Sequence, residues 1–598
     1  MKKQKNPKNF RSQWFIFFGV FFTLLLSSCT SSGKLINSEW HEITTQHFRV
    51  VTNGSPKEVK VLAEDLERFR LLALKYITFQ PDQQRLTIYA LADRLSFAGV
   101  SGNENSRVIG QFQNTSHGSV ALLNLTGNRY LPDNPARQTL FHEYTHFLTY
   151  GRGSYNYPYW YSEGIAETFS TVSFSGGDGF EIGKIPVDRA ISLNYLKALP
   201  LKRLLEATRG SLNNKDTEKL YASGWMLTHW MLFDPEREQA LSQYIKAYQT
   251  DVDPVTALPA ALGMTFDELD VHYRRLSKAN FALLSGHLSE LDTIVAISAK
   301  PMVREAAIAE VAHFMAITGQ KPAVLQAFLA VAKQRGATSP PLQAALAISE
   351  SQAGNFPRAR EVLAAIPKEN HQEIWYLEAH AEIALAQALA KEEELDLNAI
   401  SNIRDEYVQL VNTQDEVSAY WHKLAITMQL LGYPRTQYLE MLEQAYLRAP
   451  RDRDIAWWFA HELYVSRNRD LLNVARPLLI QISNQESRMH LESMVREIEQ
   501  EQEPITTSEP TAWQHGEMLA NYHRVPGHKA LALAIDYRGA LAVGYMTQQP
   551  SQSEANDFAL QNCEAQRKKY LVRDTCRIYA EGDLIVDSAP AAIQTTTK

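Results

Sequence analysis

The sequence predicts an α+β protein: a mixed strand-and-helix unit, then a long all-α array, then a small α+β module. Three observations predict it. Short alternating strands interleave with amphipathic helices in the first 199 residues or so. From about 300 to 500 the pattern is almost wholly helical, rich in Ala, Leu and Gln. QEQEPITTSEPTA (500–512) then separates that array from a last strand-and-helix segment, and its polar, Pro-containing composition reads as a linker.

The 598 residues exceed what one core supports. The chain divides into a leader (1–28), a tether (29–38), a first domain (39–290), helical repeats (295–500), a linker (501–525), a small module (526–588) and a tail (589–598). With 60 basic and 67 acidic residues the net charge is −7. There is no basic excess of the kind nucleic-acid binding needs. Beyond the N-terminus no run reaches the 18 or so apolar residues of a membrane span.

Lys2, Lys3, Lys5, Lys8 and Arg11 precede an apolar stretch from Trp14 to Leu26. That length suits a signal peptide. Leu26-Ser27-Ser28-Cys29 resembles the bacterial lipobox, which implies a lipidated Cys29 as the new N-terminus; a plain secretory signal is the alternative. Thr30 at the following position implies, by resemblance to the Gram-negative sorting rule, a cell-envelope lipoprotein on the outer membrane facing the periplasm. In that oxidising compartment Cys563 and Cys576 are either a disulfide or two thiols. A disulfide there would close a short loop and contribute roughly 3 kcal/mol.

HFRVVTN (47–53), RLTIYAL (85–91), VIGQF (108–112) and SVALLNL (119–125) read as strands. SVALLNL reads either as an ordinary strand or as an edge on which an extended peptide adds. PKEVKVLAEDLERFRLLALKYI (56–77) reads as a helix with Pro56 near its start. NPARQTLFHEYTHFLTY (134–150) reads as another, with Asn134 as cap and Pro135 at the first helical position. The stretch 199–285 is helical in pattern. In the array, Ala347, Gly354, Ala359 and Leu363, and again Leu442, Ala445 and Pro450, fall at tetratricopeptide-like packing offsets. A non-repeating helical bundle is the alternative. KALALAIDYRGALAVGYM (529–546), a helix from Ser551 to about Tyr570, and TCRIYAEGDLIV (575–586) suggest a β-α-β-type module.

The chemistry concentrates in TLFHEYTHFL (139–148). On a helix, His142 and His146 share a face with Glu143 beside them. H-E-x-x-H supplies two imidazole ligands and a general base. A catalytic zinc needs a third ligand, and YPYWYSEGIAETFS (157–170) offers Glu163, with Glu167 one turn on. LYASGWMLTHWML (220–232) offers Tyr221 and His229 as oxyanion donors. His117, like His41 and His47, shows no ligand pattern and reads as a surface or packing residue.

Trp160, Glu163, Gly164, Ala166 and Glu167 after the H-E-x-x-H resemble the gluzincin zinc peptidases. Over about residues 39–285 the chain looks like the peptidase-MA-like proteins. The resemblance implies a zincin-like fold and one Zn2+ held by His142, His146 and Glu163. It implies Glu167 behind a ligating imidazole, Glu143 as base, and Tyr221 as a donor matching a Y-x-K-G context whose lysine is absent here. It lacks a G-x-M-E-N segment, so exopeptidase action is not implied. The expectation is a lipid-anchored zinc metallopeptidase acting on a peptide or protein substrate, with an envelope protein as partner on the array. An inactive scaffold binding proteins through the repeats, and a zinc hydrolase or transferase acting on something other than peptides, are the alternatives.

Overall fold

The computed structural model describes residues 32–586 except 78–84, 103–108, 127–133, 150–156, 176, 249–251, 280, 282, 291–296, 319, 321, 391–394, 483–484, 501–521, 523–524 and 539–540. The leader with Cys29, nearly all of the linker and the tail lie outside the described residues. The architecture is α+β, with mixed sheets and many helices. Among the described residues no helix is long and apolar enough to cross a membrane.

A six-stranded mixed sheet organises the first half. Its strands are β1 (Trp40–Thr44), β2 (Phe48–Thr52), β3 (Leu86–Leu91), β4 (Gly110–Thr115), β5 (Gly118–Asn124) and a distant β9 (Ser298–Met302), in the order β4-β5-β3-β2-β1-β9. β2, β3 and β5 are parallel, and β4, β1 and β9 pair antiparallel to their neighbours. β5 is therefore interior, as the ordinary-strand reading of SVALLNL has it; the alternative of a peptide-adding edge is corrected, since the polar β4 is the outer strand on that side. A strand buried on both faces reads as a continuous apolar run, and LTIYAL and SVALLN do so for that reason.

One face packs Phe48, Val50, Leu86, Ile88, Ala121 and Leu123 against helices α1 (Pro56–Tyr76), α3 (Pro135–Thr149) and α4 (Tyr159–Ser170). Between β3 and β4 lies α2 (Arg94–Ser101), which the sequence pattern did not disclose. α5 (Val187–Leu196) precedes the helical 199–285 stretch and was not anticipated; the stretch itself supplies α6 (Leu201–Leu205), α7 (Asn214–Leu232), α8 (Pro235–Tyr248), α9 (Pro254–Ala261) and α10 (Phe266–Leu276). A small antiparallel sheet of β6 (Ser173–Ser175), β7 (Gly179–Ile182) and β8 (Leu284–His287) was likewise not anticipated.

The opposite face carries Val51, Tyr89, Leu91, Val120 and Leu122. It is covered by the first helices of the array, α11 (Arg304–Ile317), α12 (Pro322–Gln334), α13 (Pro340–Gln352), α14 (Phe356–Ala364) and α15 (Ile374–Ala390). Tyr89 and Phe314 rings lie 4.2 Å apart, and Glu310 accepts from both Arg49 (2.7 Å) and the Tyr89 hydroxyl (2.8 Å). Two sequence expectations change here. Residues 298–302 form a sheet strand, and residues 32–37, read as a tether, are helical, with Leu35 and Ile36 buried in the same core. Apolar surface on the back of the sheet draws in both segments.

The array continues through α16 (Leu397–Thr413), α17 (Ser418–Leu430), α18 (Arg435–Arg448), α19 (Arg453–Val465), α20 (Leu471–Gln481) and α21 (Gln485–Gln500). Ala347, Ala359, Leu363, Leu442 and Ala445 are buried within it. The C-terminal module is two hairpins around one helix rather than β-α-β. Strands β10 (His528–Ile535), β11 (Leu541–Gln549), β12 (Arg577–Glu581) and β13 (Leu584–Ile585) form a sheet ordered β11-β10-β12-β13, with α22 (Gln552–Lys569) on one face. Cys563 of α22 is disulfide-bonded to Cys576. The other face packs Leu531, Leu533 and Tyr579 against Val465 of the array.

A fragment of residues 39–290 should therefore be insoluble or molten, because it bares Tyr89, Leu91 and Val120 and lacks β9, whereas 32–500 should be soluble. Cooperative thermal unfolding of a soluble 39–290 fragment would remove the shared-core interpretation.

Candidate metal centre

Helix α3 begins as its sequence predicts. Asn134 Oδ1 accepts from the Ala136 (2.8 Å) and Arg137 (3.1 Å) amides, satisfying two otherwise unpaired donors. Arg137, Leu140, Phe141, Tyr144 and Leu148 form the buried stripe at three- and four-residue spacing. His142, Glu143 and His146 occupy the remaining, half-buried face. At the other end, Arg451 of the turn between α18 and α19 donates to the carbonyls of Phe147 and, at 3.3 Å, His146. A cation placed on the final carbonyls of a helix also suits the negative end of its dipole.

Helix α4 is buried at every position from Trp160 to Ser170. Its carboxylates must therefore find charge partners. Glu163 Oε2 lies 3.2 Å from His146 Nε2 and 3.5 Å from His142 Nε2, and the two Nε2 atoms are 3.2 Å apart. Bonds of about 2.0–2.2 Å at tetrahedral angles put neighbouring zinc ligands about 3.3–3.6 Å apart. Donor chemistry and spacing thus suit a divalent ion of zinc's size. Burial opposes the charge on Glu163, but His146 and His142 outweigh it and hold the carboxyl well below the usual carboxylate range. Burial likewise works against a charged His142, yet Glu163, Glu167 and Glu143 push it up to about 9. Metal and proton therefore compete for His142.

Behind the triangle, Glu167 Oε1 is 3.4 Å from His142 Nδ1 and accepts from Arg189 of α5 at 2.9 Å. Ser162 Oγ lies 3.5 Å from His146 Nδ1. Arg209 Nη2 approaches Glu163 Oε1 at 3.6 Å. Arg189, Arg209 and Arg451 were not among the residues picked out by sequence. Each acts from a different element, and no local spacing signals it.

Tyr221 reaches the site through a glycine contact. A Cβ on Gly164 would lie 2.4 Å from the Gly224 carbonyl oxygen, and one on Gly224 would lie 2.5 Å from the Trp160 carbonyl oxygen. Helices α4 and α7 thus touch backbone to backbone, one residue after Glu163 and three after Tyr221. The Tyr221 ring lies 6.2 Å from the His142 ring, under Arg189 at 4.9 Å, and its hydroxyl hydrogen-bonds Tyr159. Burial and the Glu163 charge push its hydroxyl pKa up, so it stays a proton donor at neutral pH. His229, the other candidate, sits buried among Trp225 (5.2 Å), Phe281 (4.8 Å) and Phe233 (4.6 Å), a packing role.

A family model described as "Protein of unknown function (DUF1570)" matches residues 137–254. That stretch holds His142, Glu143, His146, Glu163, Glu167 and Tyr221. No curated protein and no solved structure matches the chain.

Gly164→Ala should cost at least about 1–3 kcal/mol, because the methyl meets Thr228 Oγ1 at 2.2 Å and, behind it, the Gly224 backbone at 2.4 Å, which cannot rotate away. It should lower both Tm and metal retention; an unchanged melting curve would show that the two helices separate without penalty.

Proposed function

We propose that this chain is a zinc-dependent metallopeptidase of gluzincin type, with a zincin-like first domain and a leader that anchors it to the bacterial envelope through lipidated Cys29. The observation that carries the reading is the convergence of His142 Nε2, His146 Nε2 and Glu163 Oε2 from two packed helices. These three residues would hold one zinc ion, which when bound lowers the pKa of a coordinated water toward about 7 and polarises a carbonyl.

The protein's own groups divide the remaining work. Glu143, half-buried beside His142 on α3, accepts the attacking water's proton on its carboxylate, then delivers it to the departing amine nitrogen. Tyr221 donates its hydroxyl hydrogen to the carbonyl oxygen as negative charge develops there. Glu167, itself fixed by Arg189, holds the His142 imidazole in the ring orientation that turns Nε2 toward Glu163. Among the described residues β4 is the outer strand of the sheet, on which an extended peptide can add. The α13–α21 helices, whose repeat offsets resemble tetratricopeptide arrays, offer a surface for an envelope protein partner.

Mass spectrometry of protein starting at Thr30 and purified without added metal should find zinc, and Glu163→Ala should lose most of the zinc held at this centre. Zinc content unchanged in that variant would remove Glu163 as a ligand. Glu143→Ala should retain the metal while peptide hydrolysis falls by about 10²–10⁴-fold. Tyr221→Phe should lower kcat by about 10²–10³-fold with metal content preserved. A full-rate Tyr221→Phe variant would assign the donor elsewhere.

A further inference from the structure

A second group of the same donor composition lies where the first domain meets the array. His117 is at the tip of the β4–β5 hairpin, His313 on α11 and Glu378 on α15. Their donor atoms lie within 4.8 Å of one another. Glu378 Oε1 is 2.9 Å from His117 Nε2 and 3.2 Å from His313 Nε2, and its Oε2 is 3.1 Å from His313 Nε2. The two imidazoles stand at 88° with centroids 5.9 Å apart. His117, which the sequence presents as a histidine without ligand pattern, is thus part of a three-element cluster.

We propose that His117, His313 and Glu378 form a second divalent-metal site, for zinc, that pins the β4–β5 hairpin to the helical array. Two imidazole nitrogens and one carboxylate are a zinc donor set, and here the three donor atoms converge within 4.8 Å of one another. The Glu378 side chain is only 5% exposed, so its charge needs a strong partner. His313 is 36% exposed and leaves a route for the ion to enter.

A hydrogen-bonded cluster without metal accounts for the same atoms less completely. It needs both histidines to point an Nε2–H at one carboxylate, and it leaves His117 Nδ1 buried without a hydrogen-bond partner. With Nε2 given to a metal, Nδ1 carries the proton. Asp452, the half-buried cap of α19, interacts electrostatically with His117 and adds a second carboxylate charge near that imidazole. Tyr420 of α17 also hydrogen-bonds Glu378 and packs edge-on against His117 at 6.2 Å. The pinned hairpin includes β4, whose Phe112 ring lies 5.7 Å from that of Phe147 on the helix of the first centre.

The test is metal stoichiometry after equilibration with zinc chloride and removal of free ion. The wild-type chain should hold about two zinc ions, Glu378→Gln about one, Glu163→Ala about one, and the double variant essentially none. His117→Ala, a change in a hairpin turn outside any helix, should match Glu378→Gln and guards against misfolding of a core variant. Amide exchange across residues 110–124 should accelerate in both. Wild-type zinc content in a folded Glu378→Gln or His117→Ala protein overturns the second site. Zinc lost in Glu378→Gln but kept in Glu163→Ala would leave this site standing and reject the first.

Discussion

Two carboxylates on a helix with no exposed side impose the strongest constraint on this molecule. Helix α4 is covered all round, and an isolated buried carboxylate is prohibitively costly. Each therefore recruits charge from elsewhere: Glu163 from His142, His146 and Arg209, Glu167 from His142 and Arg189. Those partners fix the positions of α3 and α5 relative to α4. The glycine contact fixes α7 on the remaining side. Removing one partner would leave a charge stranded, which costs far more than the pair contributes when intact.

The helical array is part of the same construction. Its first helices complete the core on the back of the sheet, and Arg451 supports the end of α3 from more than three hundred residues away in sequence. Any displacement of the α18–α19 turn must either carry the last turn of α3 with it or leave two carbonyls without that donor. The α18–α19 turn and the geometry at the histidines are thus mechanically joined, through the α3 backbone and through the Phe147 ring, over which the Arg451 guanidinium lies at 4.8 Å.

Much of the site was legible because its determinants are local. H-E-x-x-H lies within one helix, and Glu163 follows His146 by only seventeen residues. The Asn134 cap and the helix and strand cores fell close to their sequence positions for the same reason. What was not legible depends on pairing across distance. β9 joins β1 only in three dimensions, so its SAKPM sequence carries no period that betrays a strand. The strand pair VIGQF and SVALLNL was legible but its order in the sheet was not: β5, sandwiched between two helical layers, is apolar, whereas the outer strand GQFQNT is polar. His117 meets His313 and Glu378 across 261 and fewer residues, beyond any spacing rule.

The pairing of β9 with β1 also sets an order of events. Trp40 meets Met302 and Thr44 meets Ser298, so the loop to be closed exceeds two hundred and fifty residues. Contacts of that span form slowly. As the chain emerges from its N-terminus, helices α1 to α10 are complete while one side of their sheet is still waiting for its cover. During that interval the strand edge at β1 and the apolar row through Tyr89 and Leu91 are open to any other unpaired strand. The same architecture that joins array to site makes the half-emerged chain dependent on reaching residue 302 promptly, or on something that shields it until then.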